Sequence, residues 1–415
     1  MMQGILKGGM MMNAKRRWVW VSLALFISLF LLMGPGALAA EQSPIKVGIL
    51  LPYTGVNALA AKLTNDGAEL YFNEIGLRAG GRTIQLVKED TELNPTVGLT
   101  KVRRLVEEQK VDFIIGPLSS AVGLAIHDYI RRQKVIQVNP VATTRELTSP
   151  EKASENIFRV CETSDQSSYS MAKWVYKNTP YRNMVLSSAD WAAGHDSMDA
   201  FKAGFTEAGG KILKEVYPKM GTMDFAPFLS VIDAKGADAV YTFYTGTDAV
   251  RFVQQYEEFG LKKRLPLLGH NVLTDDPYLP SIGDAALGII SVGHYSAALD
   301  TPKSRAFVKA YSAKYGEPPS RYAEYGYTAA NVVGAAIAAL KGEVQNPSQV
   351  AKEIMQIAPK IETPAGPLAF DKYHQRIVTM YILKVEKRDG KLVNAVIDKI
   401  PSVTQADVWK YWQHK

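Results

Sequence analysis

Short apolar runs alternate with longer amphipathic ones along this chain, and no other feature restricts its fold so strongly. IKVGILL at 45–51 reads as a buried strand, and 56–75 carries the apolar spacing of a helix. The order continues through a strand at 83–90, a helix at 94–109, a strand at 111–116, a helix at 119–132 and a strand at 134–140. Helical crossovers return each strand parallel to the last, and strands apolar throughout require cover on both sheet faces.

The pattern then restarts. A helix at 166–177 precedes a strand at 183–188, followed by a helix at 194–208, a strand at 211–217 and a helix at 225–234. A strand at 237–244, a helix at 247–259 and strands at 265–269 and 288–293 complete this half. Two stretches of the same grammar predict two α/β lobes rather than one wide sheet. Helices at 302–315, 322–340 and 347–356 follow, and the chain ends in a hairpin turning at Arg388-Asp389-Gly390.

Ahead of the first strand, Lys15-Arg16-Arg17 precedes an apolar run at 18–33, then Gly34-Pro35-Gly36 and Ala37-Leu38-Ala39. A basic start, an apolar core short for a bilayer and small residues at a cut site predict a cleaved export signal over 1–39. An uncleaved anchor is the competing reading; no cysteine near the cut supports a lipid anchor. The 415-residue chain has a formal charge of +7, and losing Lys7, Lys15, Arg16 and Arg17 brings it to +3. The remaining cations are interspersed with acids, as in Arg103-Arg104-Leu105-Val106-Glu107-Glu108, the pattern of a solvated helix face. With no basic stripe, nucleic acid is not an expected partner. The single cysteine, Cys161, excludes a disulfide framework or a cysteine zinc cluster and is expected to be a buried thiol.

Catalytic signatures are missing. The histidines at 127, 195, 270, 294, 374 and 414 lack metal-ligand spacing, and no H-E-x-x-H, G-x-S-x-G or phosphate-loop motif occurs. Ser43-Pro44-Ile45-Lys46 fits S-x-x-K only formally, ahead of the first strand. No enzyme, metal or cofactor is expected.

The loops after strands are where a ligand would sit in such sheets. Gly116-Pro117-Leu118-Ser119-Ser120 runs from a strand straight into a helix, offering free N–H groups and the positive end of a helix dipole to a carboxylate. A plain helix cap is the commoner role for such serines. Thr143 and Thr144 follow the next strand. In the second half, Asp190-Trp191, Phe243-Tyr244-Thr245 and His270-Asn271 also follow strands. Aromatics at neighbouring strand ends suggest a flat apolar wall, although one alone is usually core.

The ordered set IKVGILLPYTG, the stretch 90–98, VDFIIGPLSS, NPVATTRELTS and IFRVCETSDQ resembles periplasmic solute-binding proteins of the branched-chain amino acid (Leu/Ile/Val-type) ABC transporter family. The resemblance spans the chain beyond the signal. It implies a type I periplasmic-binding fold with two lobes and three hinge crossings, near 160–163, 292–296 and 371–376. Lobe one would hold 44–161 and 295–372, and lobe two 162–294 and 373–415. Family members grip a ligand carboxylate with loops matching Leu118-Ser119-Ser120 and Val141-Ala142-Thr143, and Tyr53 matches a cleft-lining position. The implied protein is a periplasmic monomer that hands its ligand to an ABC permease in the inner membrane.

One departure from the family is informative. Amino-acid-binding members carry an acid for the ligand's ammonium in the loop that here reads His270-Asn271. The family's tyrosine after the first lobe-two strand aligns with Ala193, two residues beyond Trp191, and further contacts fall at Phe243, Tyr244 and Thr245. A desolvated ammonium without an anion is costly. The expected ligand is therefore an aromatic acid of the benzoate, hydroxybenzoate or hydroxycinnamate type. His270 or Asn271 would then bond a ring hydroxyl. Asp165 or Asp190 replacing the missing acid would restore an amino-acid binder, and a sensing domain feeding a signalling receptor is the alternative of another class.

Overall fold

The computed structural model describes residues 43–412, so the expected signal over 1–39 and His414 lie outside the described residues. The first sheet holds β1 (Ile45–Leu51), β2 (Arg78–Ala79), β3 (Arg82–Asp90), β4 (Phe113–Ile115), β5 (Ile136–Asn139) and β6 (Ile157–Arg159), in the order β2-β3-β1-β4-β5-β6. Every neighbouring pair is parallel except β2–β3. The helices of this lobe are α1 (Ala58–Glu74), α2 (Pro95–Arg103) and α3 (Ser120–Ile130), joined by later segments described below. Alternation along each strand divides its apolar side chains between two cores: Phe113 and Ile115 face one side, and Ile114 the other.

The second sheet opens after α4 (Ser164–Asn178). It comprises β7 (Asn183–Ser188), β8 (Lys211–Val216), β9 (Ala239–Phe243), β10 (Leu267–His270), β11 (Ile290–Gly293), β14 (Val378–Arg388) and β15 (Lys391–Val403), in the order β15-β14-β11-β10-β9-β7-β8. The strands from β7 to β11 pair in parallel, while β14 and β15 add an antiparallel hairpin. Its turn falls where Asp-Gly predicts, with φ of 49° at Asp389 and 76° at Gly390. Helices α5 (Ala192–Glu207) and α6 (Ala226–Ile232) precede α7 (Gly246–Glu258) and the short α8 (Leu279–Ile282).

The chain returns to the first lobe through α9 (Pro302–Tyr315), α10 (Arg321–Ala339), α11 (Pro347–Ile357) and the small hairpin β12 (Glu362–Thr363) and β13 (Gly366–Pro367). α10 supplies Val332, Val333 and Ile337 to the core beneath β1 and β4. The chain thus passes between the lobes three times: from β6 to α4, from β11 to α9, and from β13 to β14. It closes with α12 (Ala406–Trp412). Among the described residues no helix is long and apolar enough to cross a membrane.

The crossings are braced by buried polar groups. Gln375 Nε2 donates to the Cys161 carbonyl at 2.7 Å, and Arg376 Nη1 to the Val160 carbonyl at 3.0 Å. Thr163 and Gln166 form a reciprocal cap at the start of α4, with side chain to backbone distances of 3.0 and 2.8 Å. Cys161 is a buried free thiol.

Candidate functional site

Two loops of the first lobe end at helix N-termini or crossings. Ser119 caps α3, its hydroxyl accepting from the Val122 N–H at 3.4 Å. The Ser120 hydroxyl accepts the Thr144 N–H at 3.1 Å, which ties the loop after β4 to the loop after β5. That second loop is shaped by Asn139, whose Oδ1 accepts from Val141 (3.1 Å) and Ala142 (3.0 Å). From the other side Arg159, fully buried in β6, donates to the carbonyls of Ala142 (3.2 Å) and Thr144 (2.5 Å). With its carbonyls held, the loop keeps one orientation. Thr143 Oγ1 accepts from Ser164 Oγ at 2.8 Å, joining the loop to the first turn of α4. Leu118, Val141 and Tyr53 pack in one cluster with Tyr322 and Tyr325 of α10, and the Tyr53 hydroxyl donates to Asn65 at 3.1 Å.

The second lobe brings an aromatic run to the ends of its strands. Trp191, at the start of α5, lies 5.6 Å from Phe243 between ring centroids, and Phe243 meets His270 edge-on at 4.8 Å. Tyr244 is not brought to this wall. Strand alternation turns it to the opposite face, where it stacks on Phe252 at 4.4 Å and shares a hydrogen bond with Ser187 at 2.6 Å. Thr245, half-buried, precedes α7 without a side-chain cap.

His270 has both ring nitrogens engaged. Nδ1 accepts from the Val272 N–H at 3.3 Å, while Nε2 stands 3.1 Å from Ser167 Oγ and 3.5 Å from Glu162 Oε1. Burial lowers its pKa against the opposing pull of Glu162. Asn271 beside it is buried against Gly293, where any Cβ would come within 2.1 Å of the Asn271 amide nitrogen. The Asn271 Oδ1 is buried without a hydrogen-bond partner among the described residues.

The two acids raised as replacements separate. Asp190 is exposed and sits 2.8 Å from His195 at the surface. Asp165 is buried in the first turn of α4, and burial, with Asp196 adding to it, raises its pKa and favours the neutral acid.

Sequence reasoning missed a charged cluster where the crossings meet. Glu162 Oε2 lies 2.9 Å from His294 Nδ1 and accepts the Tyr325 hydroxyl at 2.6 Å. His294 Nε2 lies 2.7 Å from Glu324, which also has Arg376 at 3.6 Å. Burial alone would lower the His294 pKa, but Glu162 and Glu324 together raise it. Burial would likewise raise Glu162, yet His294 and His270 hold it well below the usual carboxylate range. These residues come from separate segments with no shared spacing, so the sequence carries no signal for the cluster. A groove of about 610 Å³ lined by Tyr169, Lys173, Trp174 and Asp398 shares no residue with the cleft loops.

A family model described as periplasmic binding protein matches residues 44–391. Leu/Ile/Val-binding protein homolog 6 of Brucella melitensis is 27% identical over 360 residues, which cover 85% of this chain and 90% of that one. An ABC transporter substrate-binding protein from Sphaerobacter thermophilus is 36% identical with a TM-score of 0.84, covering 87% of this chain and 99% of its own. A solute-binding protein of an ABC transporter from Rhodopseudomonas palustris BisB5, solved with 3,4-dihydroxybenzoic acid, is 30% identical with a TM-score of 0.81. It covers 88% of this chain and 99% of its own.

Proposed function

This chain belongs to the periplasmic binding protein family, and from that premise we propose that it is the exported receptor of an ABC importer, capturing a small aromatic carboxylate between its lobes. The observation that carries the ligand class is the loop after β10. Where an ammonium would need an anion, the loop presents the imidazole of His270 and the amide of Asn271, beside the wall of Trp191 and Phe243. Glu162 lies near but is already compensated by His294, and Asp165 favours its neutral form. The carboxylates nearest that loop are already paired, Glu162 with His294 and Asp275 with Arg321, so an enclosed ammonium would lose its hydration and compete for its counter-charge. The related protein that binds 3,4-dihydroxybenzoic acid supports the same class.

In this reading the carboxylate lies against Ser119, Ser120 and the loop at Val141, Ala142 and Thr143. Its charge is met by the N-terminal amides of α3 and by hydroxyls, and the ring lies against Trp191 and Phe243. His270 contributes its ring face, because both of its nitrogens are engaged. That leaves Asn271 to bond a ring hydroxyl. The lobes, 44–161 with 295–372 and 162–294 with 373–415, close by bending at the three crossings, and a ligand touching both stabilises the closed form. An inner-membrane permease then receives the closed monomer, after removal of 1–39 on export.

Calorimetry with benzoate, 4-hydroxybenzoate and leucine tests this. Binding of the aromatic acids without leucine is expected; tight leucine binding with no aromatic acid bound overturns it. A neighbouring chemoreceptor or histidine kinase gene in place of permease and ATPase genes would favour sensing over transport.

A further inference from the structure

Arg159, in β6, is fully buried, and among the described residues every oxygen that meets its guanidinium belongs to a neutral group. Nε donates to Gln375 Oε1 and Nη2 to the Thr148 hydroxyl. Nη1 serves two carbonyls, Ala142 at 3.2 Å and Thr144 at 2.5 Å. Asp165, Asp371 and Glu162 act on the guanidinium only from beyond ion-pair distance, and each is otherwise occupied. Glu162 lies 2.9 Å from His294, Asp371 accepts from Gln405 Nε2 at 2.7 Å, and burial favours the neutral form of Asp165. Burial lowers the Arg159 pKa by more than Cys161 and these acids raise it. A guanidinium still stays protonated in a protein, and a buried cation without a counter-ion is costly to keep.

The Ala142 carbonyl, bonded also by Asn139 Nδ2 at 3.1 Å, shares a planar trans peptide with the Thr143 N–H, which therefore points away from Arg159. Along this loop the amides of Val141 and Ala142 donate to Asn139, and that of Thr144 donates to Ser120. Only the Thr143 N–H takes no acceptor among the described residues, although the Thr143 carbonyl accepts from the Ser164 N–H at 3.0 Å. One peptide thus carries a cation at its carbonyl end and is open at its donor end. Hydrogen bonds in a chain polarise one another, so a donor whose carbonyl binds a cation is strengthened. We infer that Arg159 is a positioning residue for the ligand carboxylate, acting through the Ala142–Thr143 peptide, and that a carboxylate on the Thr143 N–H is the counter-ion its buried charge lacks. The site then selects an ionised carboxylate over a neutral carbonyl of the same shape. An amide can accept the Thr143 N–H but offsets no charge. This rests on the placement of the carboxylate at Val141, Ala142 and Thr143 proposed above, and adds the source of its charge selectivity.

The test is calorimetric titration of wild type, Arg159→Met, Arg159→Gln and Arg159→Lys at neutral pH with 4-hydroxybenzoate and with the uncharged 4-hydroxybenzamide, with a melting curve for each protein. Wild type is expected to bind the acid about tenfold or more tighter than the amide. Arg159→Met and Arg159→Gln should reduce that ratio by about tenfold, whereas Arg159→Lys, which keeps the charge, should hold it within about threefold. A merely structural role would weaken acid and amide by one factor, and that result, or an unchanged acid affinity, would overturn the inference. Should Arg159→Met fail to fold, Arg159→Gln, which retains an NH₂ donor for the Ala142 carbonyl, carries the same comparison. Should neither neutral variant fold, Arg159→Lys decides: a ratio that collapses with the charge still present overturns the inference, and a ratio that holds supports it. Wild type that binds acid and amide alike removes this inference and leaves the aromatic reading. Wild type that binds leucine in their place removes the aromatic reading, and leucine against leucinamide then makes the same comparison. Wild type that binds neither the aromatic pair nor leucine removes both.

Discussion

At the scale of single residues, the cleft has two kinds of polar group: those already satisfied by the protein and those left for a ligand. Thr143, proposed above as a ligand contact, has a hydroxyl that accepts from Ser164 and keeps a proton to donate. Thr143→Val should weaken aromatic carboxylates at least about tenfold, the ~1.4 kcal/mol of one charge-assisted hydrogen bond. Unchanged affinity in calorimetry would take Thr143 out of the site. Burial also makes stability depend on pH. Asp276, with Asp275 beside it, has its carboxyl pushed up to about 7 by burial and then by that neighbour. A folded pKa above the unfolded one stabilises the fold while the group is protonated, and that contribution disappears as pH rises through about 7. The raised His294 acts in the same direction, from its ordinary range upward. Glu162 and Glu324, both lowered, weaken the fold only as pH falls below the usual carboxylate range. These raised groups lower the melting temperature as pH rises, whereas the lowered His127, His270 and His374 oppose them below about pH 6.5, so the net decline is expected from about pH 6.5 upward. Asp276→Asn should flatten that decline, by on the order of 1 kcal/mol at the alkaline end, while still accepting from Asn394. An identical slope in the variant would show that Asp276 does not titrate in this way.

At the scale of elements, α1 and α10 cross at backbone contact. A Cβ at Gly67 would come within 1.9 Å of the Ala323 carbonyl oxygen, and one at Gly326 within 1.8 Å of the Thr64 oxygen. Alanine is normally the better helix former by nearly 1 kcal/mol. Here Gly326→Ala should instead lower stability by roughly 2–3 kcal/mol through overpacking. A urea midpoint that stays or rises would contradict the close crossing. Much of the element order was legible because apolar period marks it: the strand at 45–51 and the helix at 302–315 appear with the bounds their patterns predict. The strand Ile157–Arg159 was not legible, because a three-residue run containing arginine reads as surface. Arg159 can be buried there only because carbonyls of Ala142 and Thr144, 15 to 17 residues away, accept its protons. The cleft loops could be located from strand-to-helix junctions. The Glu162–His294–Glu324 cluster could not, since tertiary folding alone joins its three segments. Tyr244 shows a finer limit: one residue of register decides which face of a strand end a side chain serves.

At the scale of the whole molecule, affinity combines the contacts made in the cleft with the population of the closed form. Asp196, in α5 of the second lobe, accepts the Thr144 hydroxyl at 2.9 Å and pairs with Arg145 at 3.0 Å, both from the first-lobe loop after β5. Neither contact uses the groups assigned to the ligand, so together they bias closure without reading the ligand's identity. A protein whose binding-competent state is populated only in fraction binds every ligand more weakly by that same fraction. Asp196→Ala should therefore weaken benzoate and hydroxybenzoates by one common factor, about three- to tenfold for the loss of one buried hydrogen bond and one partly exposed ion pair. X-ray scattering should show that the variant needs more ligand to reach the compact form. A ligand-dependent effect of Asp196→Ala would place that residue in the site itself. No effect at all would mean that the ligand, rather than these contacts, supplies the free energy that keeps the lobes together.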